Sequence, residues 1–407
     1  MKSFLAAVVL LAGTPLLMAQ DWEMQLGGIR GRAIGKVAAP YVKNGEGSTI
    51  ELHDGRILHA FTRHQLNQDV APAVIAQTIS ADGGATWTAP SVLFTSTTGN
   101  NAMQPGFVRL HNGELGVSYS RLDSLSHATK VFRYSSDEGK TWSEEILMSP
   151  ADSYWTSAHD RMLCLQSGRV LIPLHHKKVV RPEQMTTQVA YSDDNGRTWK
   201  LSPDEVSTST MLPGFAKKFS TRSAPGFWEG SIVERADSTL LMFGRTYAGV
   251  QYQSVSTDSG IHWSKAEPTT LPSGAAPAKL ARVPGTSDLL VLWNSCCVNQ
   301  AEGLLGERLT LSSAISHDGG KTWHLQRDLE AITPAQAPGA TAKAFDPALP
   351  YNGNRIEYPA VTFIRGNAFV TYRAQTTVGD HTEMQEYLSV LPVAWFYAGE
   401  LRSLRTH

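Results

Sequence analysis

An eight-residue pattern that occurs five times limits most strongly what this chain can fold into. The copies are SADGGATW at 80–87, SSDEGKTW at 135–142, SDDNGRTW at 192–199, STDSGIHW at 256–263 and SHDGGKTW at 316–323. By subtraction, their tryptophans lie 55, 57, 64 and 60 residues apart. This spacing suits four short strands and their loops, so the chain is predicted to repeat one small sheet per period.

A strand pair precedes each copy of the pattern, and a sixth pair follows the last copy. The segments are STIELHDGRILHAFTR, GFVRLHNGELGVSYSR, RMLCLQSGRVLIPLHH, GSIVERADSTLLMFGR, AKLARVPGTSDLLVLWN and PAVTFIRGNAFVTYR. Alternating apolar and polar residues around a tight turn predict a β-hairpin in each. Six hairpins predict an all-β, six-bladed propeller over residues 44–407, with five turns of the repeated type. We expect part of residues 20–43 to complete the last blade as its outer strand.

The repeated pattern is interpreted as a structural turn. Its aspartate is expected to cap backbone amides, and its glycine to adopt a conformation closed to residues with a Cβ. The tryptophan would pack under the hairpin. We expect these turns between the third and fourth strands of each blade, on the face opposite any pocket, without a catalytic role.

The first residues, MKSFLAAVVLLAGTPLLMAQ, predict a signal peptide over residues 1–19 that is cleaved after Ala19. No later stretch has the ~18 to 20 uninterrupted apolar residues that a spanning helix needs. We therefore expect a secreted or periplasmic protein with no membrane partner, and a monomer. The formal net charge of −1 gives no overall field that would attract nucleic acid. Because no cysteine and histidine set has zinc spacing, we predict neither a metal nor a cofactor.

Propeller topology predicts which residues line a funnel, because the first strand of each blade starts at the face to which the second returns. The starts of first strands carry Glu46, Gln104, Asp160, Arg161, Glu229, Glu357 and Tyr358. The ends of second strands carry Arg63, Arg121, His175, His176, Arg245, Asn294 and Arg373. Almost all of these are polar or charged, in a chain with only 18% charged residues. Since guanidinium groups match carboxylates in paired hydrogen bonds, the arginines favour an acidic saccharide as the ligand.

The repeated pattern resembles the Asp box, and five copies at this spacing resemble the sialidase superfamily of six-bladed propellers over residues 44–397. The resemblance implies a secreted, exo-acting glycoside hydrolase that removes a terminal acidic sugar, with sialic acid as the leading candidate. It also implies a retaining mechanism in which arginines hold the substrate carboxylate and a tyrosine attacks the anomeric carbon. A glutamate would act as the base for that tyrosine, and an aspartic acid would protonate the leaving group.

The matching segments assign these roles to residues of this chain. WEGSIVERADSTLLMFGRT resembles the stretch that carries the base and a clamp, which implies Glu229 and Arg245. IEYPAVTF resembles the start of the last blade and implies Tyr358 as the nucleophile. Asp69, in RHQLNQDVAP, resembles the general acid, and Arg308, in GLLGERLTL, resembles a second clamp.

The first blade departs from the family pattern. Sialidases open it with an Arg-Ile-Pro motif whose arginine is supported by a glutamate near the end of the following strand. Here the corresponding places hold Glu46 and Arg63, so the charges look exchanged. Such a pair could still present Arg63 to a carboxylate with Glu46 holding it, or the pocket could serve another sugar.

Three alternatives remain open at this point. One is a hydrolase for another acidic sugar, such as a uronic acid. The second is a glycan-binding propeller without turnover, which needs arginines but no proton donor at a glycosidic oxygen. The third is a lyase, in which Tyr358 or His175 would remove a proton next to a uronate carboxylate. A hydrolase requires Asp69, Glu229 and Tyr358 around one substrate atom.

Overall fold

The computed structural model describes residues 31–178, 184–209, 226–295, 308, 310–331, 355–378 and 381–398. The predicted signal peptide at 1–19 lies outside the described residues. Within them the regular secondary structure consists of strands and a 3₁₀ turn at Val393–Tyr397. No helix in these ranges is long and apolar enough to cross a membrane. The predicted all-β class is confirmed.

The strands follow the predicted order of hairpins. The first fourteen are β1 (Arg32–Ala33), β2 (Lys43–Glu51), β3 (Ile57–His64), β4 (Ala73–Ser80), β5 (Ser91–Phe94), β6 (Ala102–Arg109), β7 (Leu115–Ser124), β8 (His127–Ser135), β9 (Ile146–Leu147), β10 (Trp155–Thr156), β11 (Leu163–Cys164), β12 (Val170–Lys178), β13 (Gln184–Ser192) and β14 (Lys200–Leu201). The others are β15 (Trp228–Glu234), β16 (Leu240–Arg245), β17 (Val250–Ser256), β18 (Glu267–Pro272), β19 (Lys279–Arg282), β20 (Leu289–Asn294), β21 (Thr310–Ser316), β22 (His324–Ala331), β23 (Arg355–Ile364), β24 (Asn367–Val378) and β25 (His381–Pro392).

Hydrogen bonding divides these strands into a propeller arrangement of blade-sized sheets and one larger sheet. Three sheets have four strands each, namely β6–β9, β15–β18 and β19–β22. A fourth sheet has five strands, β10–β14. The remaining sheet has eight strands, in the order β23-β24-β25-β2-β3-β4-β5, with β1 paired to β25. The prediction of six separate blades is therefore wrong as a count of sheets, because four sheets are single blades.

The eight-stranded sheet contains the first and the last hairpins of the chain. They are joined where Lys43 of β2 pairs in parallel with Met384 of β25. Next to this junction, β1 pairs antiparallel with β25, with Arg32 opposite Leu388. The two ends of the described chain thus meet in one sheet, which brings β2 and β24 close enough for their side chains to interact.

The five Asp boxes form one repeated turn, as the sequence predicted. In the first, Asp82 Oδ1 accepts the Thr86 N–H at 2.8 Å, and Ser80 Oγ accepts the Gly84 N–H at 2.8 Å. Gly84 has a φ of +93°, and the corresponding glycines of the other four boxes have φ between +81° and +90°. Each box follows the third strand of its blade, at Ser80, Ser135, Ser192, Ser256 and Ser316. The predicted turn chemistry is confirmed.

Apolar side chains fill the space between neighbouring sheets. In one cluster, for example, Leu290 and Leu292 of β20 pack with Val370 of β24. These apolar contacts lie between blades. The charged residues at the strand starts are also buried, but around the axis of the ring. Buried charges are unfavourable unless they are paired. The ion pairs around the axis therefore define the site.

Candidate active site

Five residues at or near the starts of the first strands have a left-handed backbone although none is glycine. Their φ angles lie between 50° and 61°. They are Glu46, Gln104, Asp160, Glu229 and Tyr358. A residue with a Cβ pays about 1–3 kcal/mol for such a conformation, and strain of this kind clusters at functional sites. All five had been assigned to the funnel from the sequence.

In four of these places the strained residue belongs to a β-bulge. In the hairpin of β15 and β16, Trp228 is opposite Arg245, but Ser231 is opposite Phe243. Three steps along the first strand therefore face two along the second, which leaves Glu229 at the extra position. The same slip occurs in the hairpins that carry Glu46, Gln104 and Tyr358. The bulges interrupt the alternation of side chains, and these residues contact blades elsewhere in the ring.

Tyr358 and Glu229 meet directly, although 129 residues separate them. The Tyr358 hydroxyl donates to Glu229 Oε1 at 2.8 Å. Arg245 Nη1 donates to the other oxygen, Oε2, at 2.7 Å, and its guanidinium lies 4.9 Å from the centre of the Trp228 ring. Both oxygens of this carboxylate are therefore bound, and its orientation is set from two sheets.

The protonation states of this pair follow from their surroundings. Burial opposes ionisation of Glu229, but the charge and hydrogen bond of Arg245 outweigh it and lower the pKa of the carboxyl. Burial and the neighbouring Glu229 carboxylate raise the pKa of Tyr358 well above its usual value, against the opposite influence of Arg245 and Arg308. The proton therefore stays on the phenol while an ionised carboxylate stands ready to accept it.

Three arginines contact a second carboxylate, that of Glu357, beside the tyrosine. Arg308 contacts Glu357 Oε2, Arg355 Nε lies 3.0 Å from Oε1, and Arg373 Nη2 lies 2.5 Å from Oε1. The guanidinium of Arg308 lies 5.5 Å from the Tyr358 ring centre and that of Arg373 lies 4.8 Å from it. Despite burial, the three arginines hold the pKa of Glu357 well below its usual value.

Asp69 differs from the other candidates because its side chain is 67% exposed. Its carboxylate lies 3.2 Å from Lys43 Nζ. Asn101 Nδ2 donates to the Asp69 carbonyl at 2.8 Å, which ties this loop of the first hairpin to the start of the second. Partial desolvation raises the pKa of Asp69, but Lys43 and Arg373 outweigh it and the net shift is downward.

The structure corrects the predicted partner of Glu46. Arg63 donates to Asn44 Oδ1 at 3.2 Å and lies over the Tyr41 ring at 4.3 Å, so its guanidinium is engaged away from Glu46. Glu46 Oε1 instead accepts from Arg373 Nη1 at 2.7 Å. The exchanged pair exists, but its arginine comes from β24 because ring closure brings the last hairpin against the first.

Arg161 lies deep in the ring and is 3% exposed. Its guanidinium donates to the carbonyls of Ala278 at 3.1 Å and Asp160 at 3.4 Å. The Asp160 carboxylate lies 2.7 Å from Lys279 Nζ and accepts from Ser48 Oγ at 2.8 Å. Arg161 thus belongs to a buried cationic group with Lys279, and its hydrogen bonds among the described residues are to backbone carbonyls.

Sequence reasoning missed two residues of this site, Arg355 and Lys43. Arg355 stands two positions before Glu357 on the same strand, so period-two alternation could have identified it. Lys43 stands three positions before Glu46 at the start of β2. His175, which the sequence placed in the funnel and also offered as a lyase base, has its pKa lowered to about 4 by burial. Its neutral Nδ1 lies 3.4 Å from the Glu229 backbone N–H, which donates to it.

The assembled site offers proton transfer and anion binding. Within the described residues no group of three or more His, Cys, Asp or Glu is placed to hold a metal ion. The groups at hand are a phenol bonded to an ionised carboxylate, an exposed aspartate at the rim, and several arginines. This set can activate a hydroxyl, donate a proton and bind a carboxylate without a cofactor.

Comparisons with known proteins agree with this architecture. A protein of unknown function from Dyadobacter fermentans superposes with a TM-score of 0.66 at 18% identity, over 90% of this chain and 99% of that chain. A Hadza microbial sialidase matches with a TM-score of 0.63 at 15% identity, over 88% and 68% of the two chains. The NanB sialidase from Streptococcus pneumoniae matches with a TM-score of 0.61 at 12% identity, over 89% and 70%. At these identities the matches show a shared propeller fold.

No curated protein matches the sequence. The profile of the BNR repeat-like domain matches residues 67–370, which is most of the chain. This match and the structural neighbours confirm the resemblance to the sialidase superfamily that the Asp boxes indicated. The chain therefore belongs to the family of BNR repeat-like domains.

Proposed function

We propose that this protein is an exo-acting glycoside hydrolase of the sialidase type, which releases a terminal acidic sugar with retention of configuration. The observation that carries the proposal is the 2.8 Å hydrogen bond from the Tyr358 hydroxyl to Glu229 Oε1. A neutral phenol on an ionised carboxylate is a nucleophile with its base already aligned. The left-handed backbone at both residues supports a functional reason for their placement.

The first step forms a bond from Tyr358 Oη to the anomeric carbon while the bond to the leaving oxygen breaks. The phenol proton passes to Glu229 Oε1, along the hydrogen bond already present. A neutral nucleophile suits an acidic sugar, since an anionic one would be repelled by the carboxylate next to the reacting carbon. Before substrate binds, Arg245 keeps the Glu229 carboxyl ionised, so that it can accept this proton.

Asp69 is proposed to protonate the leaving oxygen, because its side chain is exposed and can be reached by a ligand, while Lys43 Nζ holds it at 3.2 Å beside the start of β2. Its carboxylate then takes a proton from the water that attacks the glycosyl-tyrosine. That attack breaks the bond to Tyr358 Oη, and Glu229 returns the proton to the phenolate. Two displacements at one carbon give net retention.

The charge around Tyr358 supports an acidic substrate. Arg245, Arg308, Arg355 and Arg373 lie around it, against the carboxylates of Glu229, Glu357 and Glu46. Arginines outnumber acids in this set, so an anionic group on the ligand would complete the balance. Sialic acid is the leading sugar, and a uronic acid is the alternative within the same mechanism.

Three further parts of the proposal concern the whole protein. We infer that the two hairpins in the eight-stranded sheet act as separate blades, which gives the ring six. The strands of these blades are joined through the single parallel pair of Lys43 and Met384, which supports this division. We also propose that the protein is exported through its N-terminal signal peptide and acts as a monomer.

The test is release of a fluorogenic aglycone from α-linked sialosides and β-linked glucuronides. Tyr358→Phe and Asp69→Ala are compared with the wild type, and Tyr397→Phe is the matched control because that hydroxyl bonds Asp288. Sialoside turnover that disappears in Tyr358→Phe and persists in Tyr397→Phe is expected. No turnover on any substrate, together with tight binding of an acidic saccharide, would replace the hydrolase by a glycan-binding propeller. An unsaturated, ultraviolet-absorbing product would indicate a lyase.

A further inference from the structure

Arg161 is a buried cation that forms no ion pair of its own among the described residues. It is 3% exposed, and its guanidinium donates to the carbonyls of Ala278 at 3.1 Å and Asp160 at 3.4 Å. Its Nε atom has no hydrogen-bond partner in the described part of the chain. The Asp160 carboxylate lies 2.7 Å from Lys279 Nζ, so two cations share this one acid. Because a buried charge is costly unless it is paired, a further anion would stabilise this arrangement.

Lys130 is a second buried cation of the same kind. It is 1% exposed, and its Nζ donates to the Gln104 carbonyl at 3.1 Å and to Ser120 Oγ at 3.4 Å. Burial lowers the pKa of this ammonium to about 7 against the opposing influence of Glu46, and the charge of Arg161 adds to the lowering. At neutral pH the side chain is therefore charged in about half of the molecules. Besides the bonds already made, the ammonium keeps a further N–H donor.

The imidazole of His159 belongs to the same cluster. It is 0% exposed, and neither Nδ1 nor Nε2 has a hydrogen-bond partner in the residues that the structure describes. Burial lowers its pKa well below the usual value, and the strongest charges that add to this effect are all cationic. They are those of Arg161, Lys279, Arg373 and Lys130. The ring is therefore neutral and keeps one N–H donor, in a place with an excess of positive charge.

We propose that Lys130, His159 and Arg161 bind one chloride ion, at a site separate from the sugar site. Each of the three supplies an N–H donor that no described residue accepts, and the lysine and the arginine carry positive charge. Buried polar groups without a protein partner are satisfied by ordered water or by an ion. The positive charge of this cluster favours an anion over water.

The cluster selects a small, monovalent anion. None of the three side chains belongs to a residue that is more than 3% exposed, so the cluster is closed to a sugar ring. The charge left over is that of Arg161 and, in part, that of Lys130, which one monovalent ion balances. Removing an ion from water costs more as its charge increases, so chloride enters such a site more readily than sulfate or phosphate.

The ion would lie near the proposed nucleophile but on different donors. The His159 ring centre lies 5.9 Å from that of Tyr358. The arginines around Tyr358 are instead paired with the carboxylates of Glu229 and Glu357. The chloride is thus a structural counter-ion of the ring, and this inference does not rest on the proposed function.

Bromide is the probe for the position of the ion, because it replaces chloride and its anomalous scattering locates it. Crystals of the whole protein in sodium bromide should show an anomalous peak in contact with Arg161 Nε and the His159 ring. The peak should persist when the crystals also bind 2-deoxy-2,3-didehydro-N-acetylneuraminic acid. A peak that this sugar displaces would show that the halide had replaced a ligand carboxylate, which would overturn a separate site.

Thermal unfolding tests the same binding in solution. The wild type is compared in sodium chloride and in sodium gluconate at equal concentration, since gluconate is too large for a buried site. At an excess of chloride of about a hundredfold over its Kd, Tm should be higher by about 3 °C for a chain of this length. Arg161→Met and Lys130→Met should lose this difference between the salts. Arg121→Met is the matched control and should keep it, because Arg121 is paired with Glu145 at 2.8 Å.

The remaining outcomes would overturn the inference. Absence of the anomalous peak would mean that water satisfies these groups, whatever the melting shows. A peak without a salt response, or with a response that both variants keep, would identify an adventitious ion only. If Arg161→Met does not fold, Lys130→Met decides.

Discussion

The Asp-box turns and the funnel residues lie at opposite ends of the same strands, and both depend on backbones with positive φ. In the fourth blade, Glu229 stands where β15 meets the end of β16, whereas Ser256 begins the Asp box beside Leu240 at the other end. The turns use glycine at one such position, as at Gly84 and Gly196, and at the preceding position they hold different residues with positive φ, among them Glu138, Asn195 and Ser259. The funnel uses residues with side chains, and these differ from blade to blade.

This difference separates structure from function in a repeat protein. A turn needs only the conformation, which glycine provides without strain, and the side chains of Glu138, Asn195 and Ser259 at such positions have no common chemistry. A funnel position needs the conformation and a particular side chain, so the strain is retained. Comparing the two ends of the strands therefore locates the site better than the Asp box does, although the Asp box is the most conspicuous sequence pattern. The Asp box marks the end with a structural role. Four experiments test this division.

The largest expected effect is on turnover in Tyr358→Phe. Removing the hydroxyl removes the nucleophile but leaves the ring, and we expect kcat to fall on the order of 10⁴-fold or more. The free energy of unfolding should change little by comparison, which denaturant titration would check. Turnover near the wild-type rate would mean that the strained tyrosine is structural and that the comparison of the two ends is misleading.

Glu229→Gln should have the next largest effect. The amide can still contact Tyr358 and Arg245 but cannot take the phenol proton, so kcat should fall by about 10²–10⁴-fold. Because base catalysis is lost, the decrease in rate on the acidic side of the wild-type profile should also disappear. A rise in KM with kcat unchanged would instead assign Glu229 to binding.

Gly196→Ala tests the other end of the strands. The new Cβ would lie 2.1 Å from Phe132 Cε1 at a φ of +84°. We expect a loss of about 1–3 kcal/mol in the free energy of unfolding, with kcat unchanged. Gly366→Ala has a similar φ of +78° with no atom within 4 Å of the new Cβ, and separates backbone strain from the clash. A selective loss of kcat in Gly196→Ala would contradict the division.

The smallest effect is a shift in pH dependence in Lys43→Met. Asp69 must be protonated to act as the acid, so the rate should fall as pH rises through its lowered pKa. Removing Lys43 removes the strongest influence that lowers this pKa. The alkaline limb of kcat should therefore move to higher pH, whereas Lys321→Met, on an Asp box, should leave it in place. An unmoved limb in Lys43→Met would exclude Asp69 as the acid.

Much of the site was predictable because topology restricts which residues can meet. Glu46, Glu229, Tyr358 and Arg373 were selected as strand starts and ends, and the structure brings them together. Their pairing was not predictable. Arg63 and Arg373 both end second strands, and the sequence could not show that Glu46 contacts a residue 327 positions away. Glycines lie at three of the bulges, as Gly45, Gly106 and Gly230 do, but the strained residues themselves carry side chains, so the sequence did not indicate their positive φ.

The sequence by itself determined the period, the hairpins and the chemistry of the Asp boxes, because each depends on hydrogen bonds between residues a few positions apart. The tertiary structure decided how the sheets join and which charges pair around the axis. The parallel contact of Lys43 with Met384 merges the first and last hairpins, and only that closure brings Arg373 over Gly45 to Glu46. Local turns are encoded locally, whereas buried ion pairs depend on distances that exist only in the closed ring.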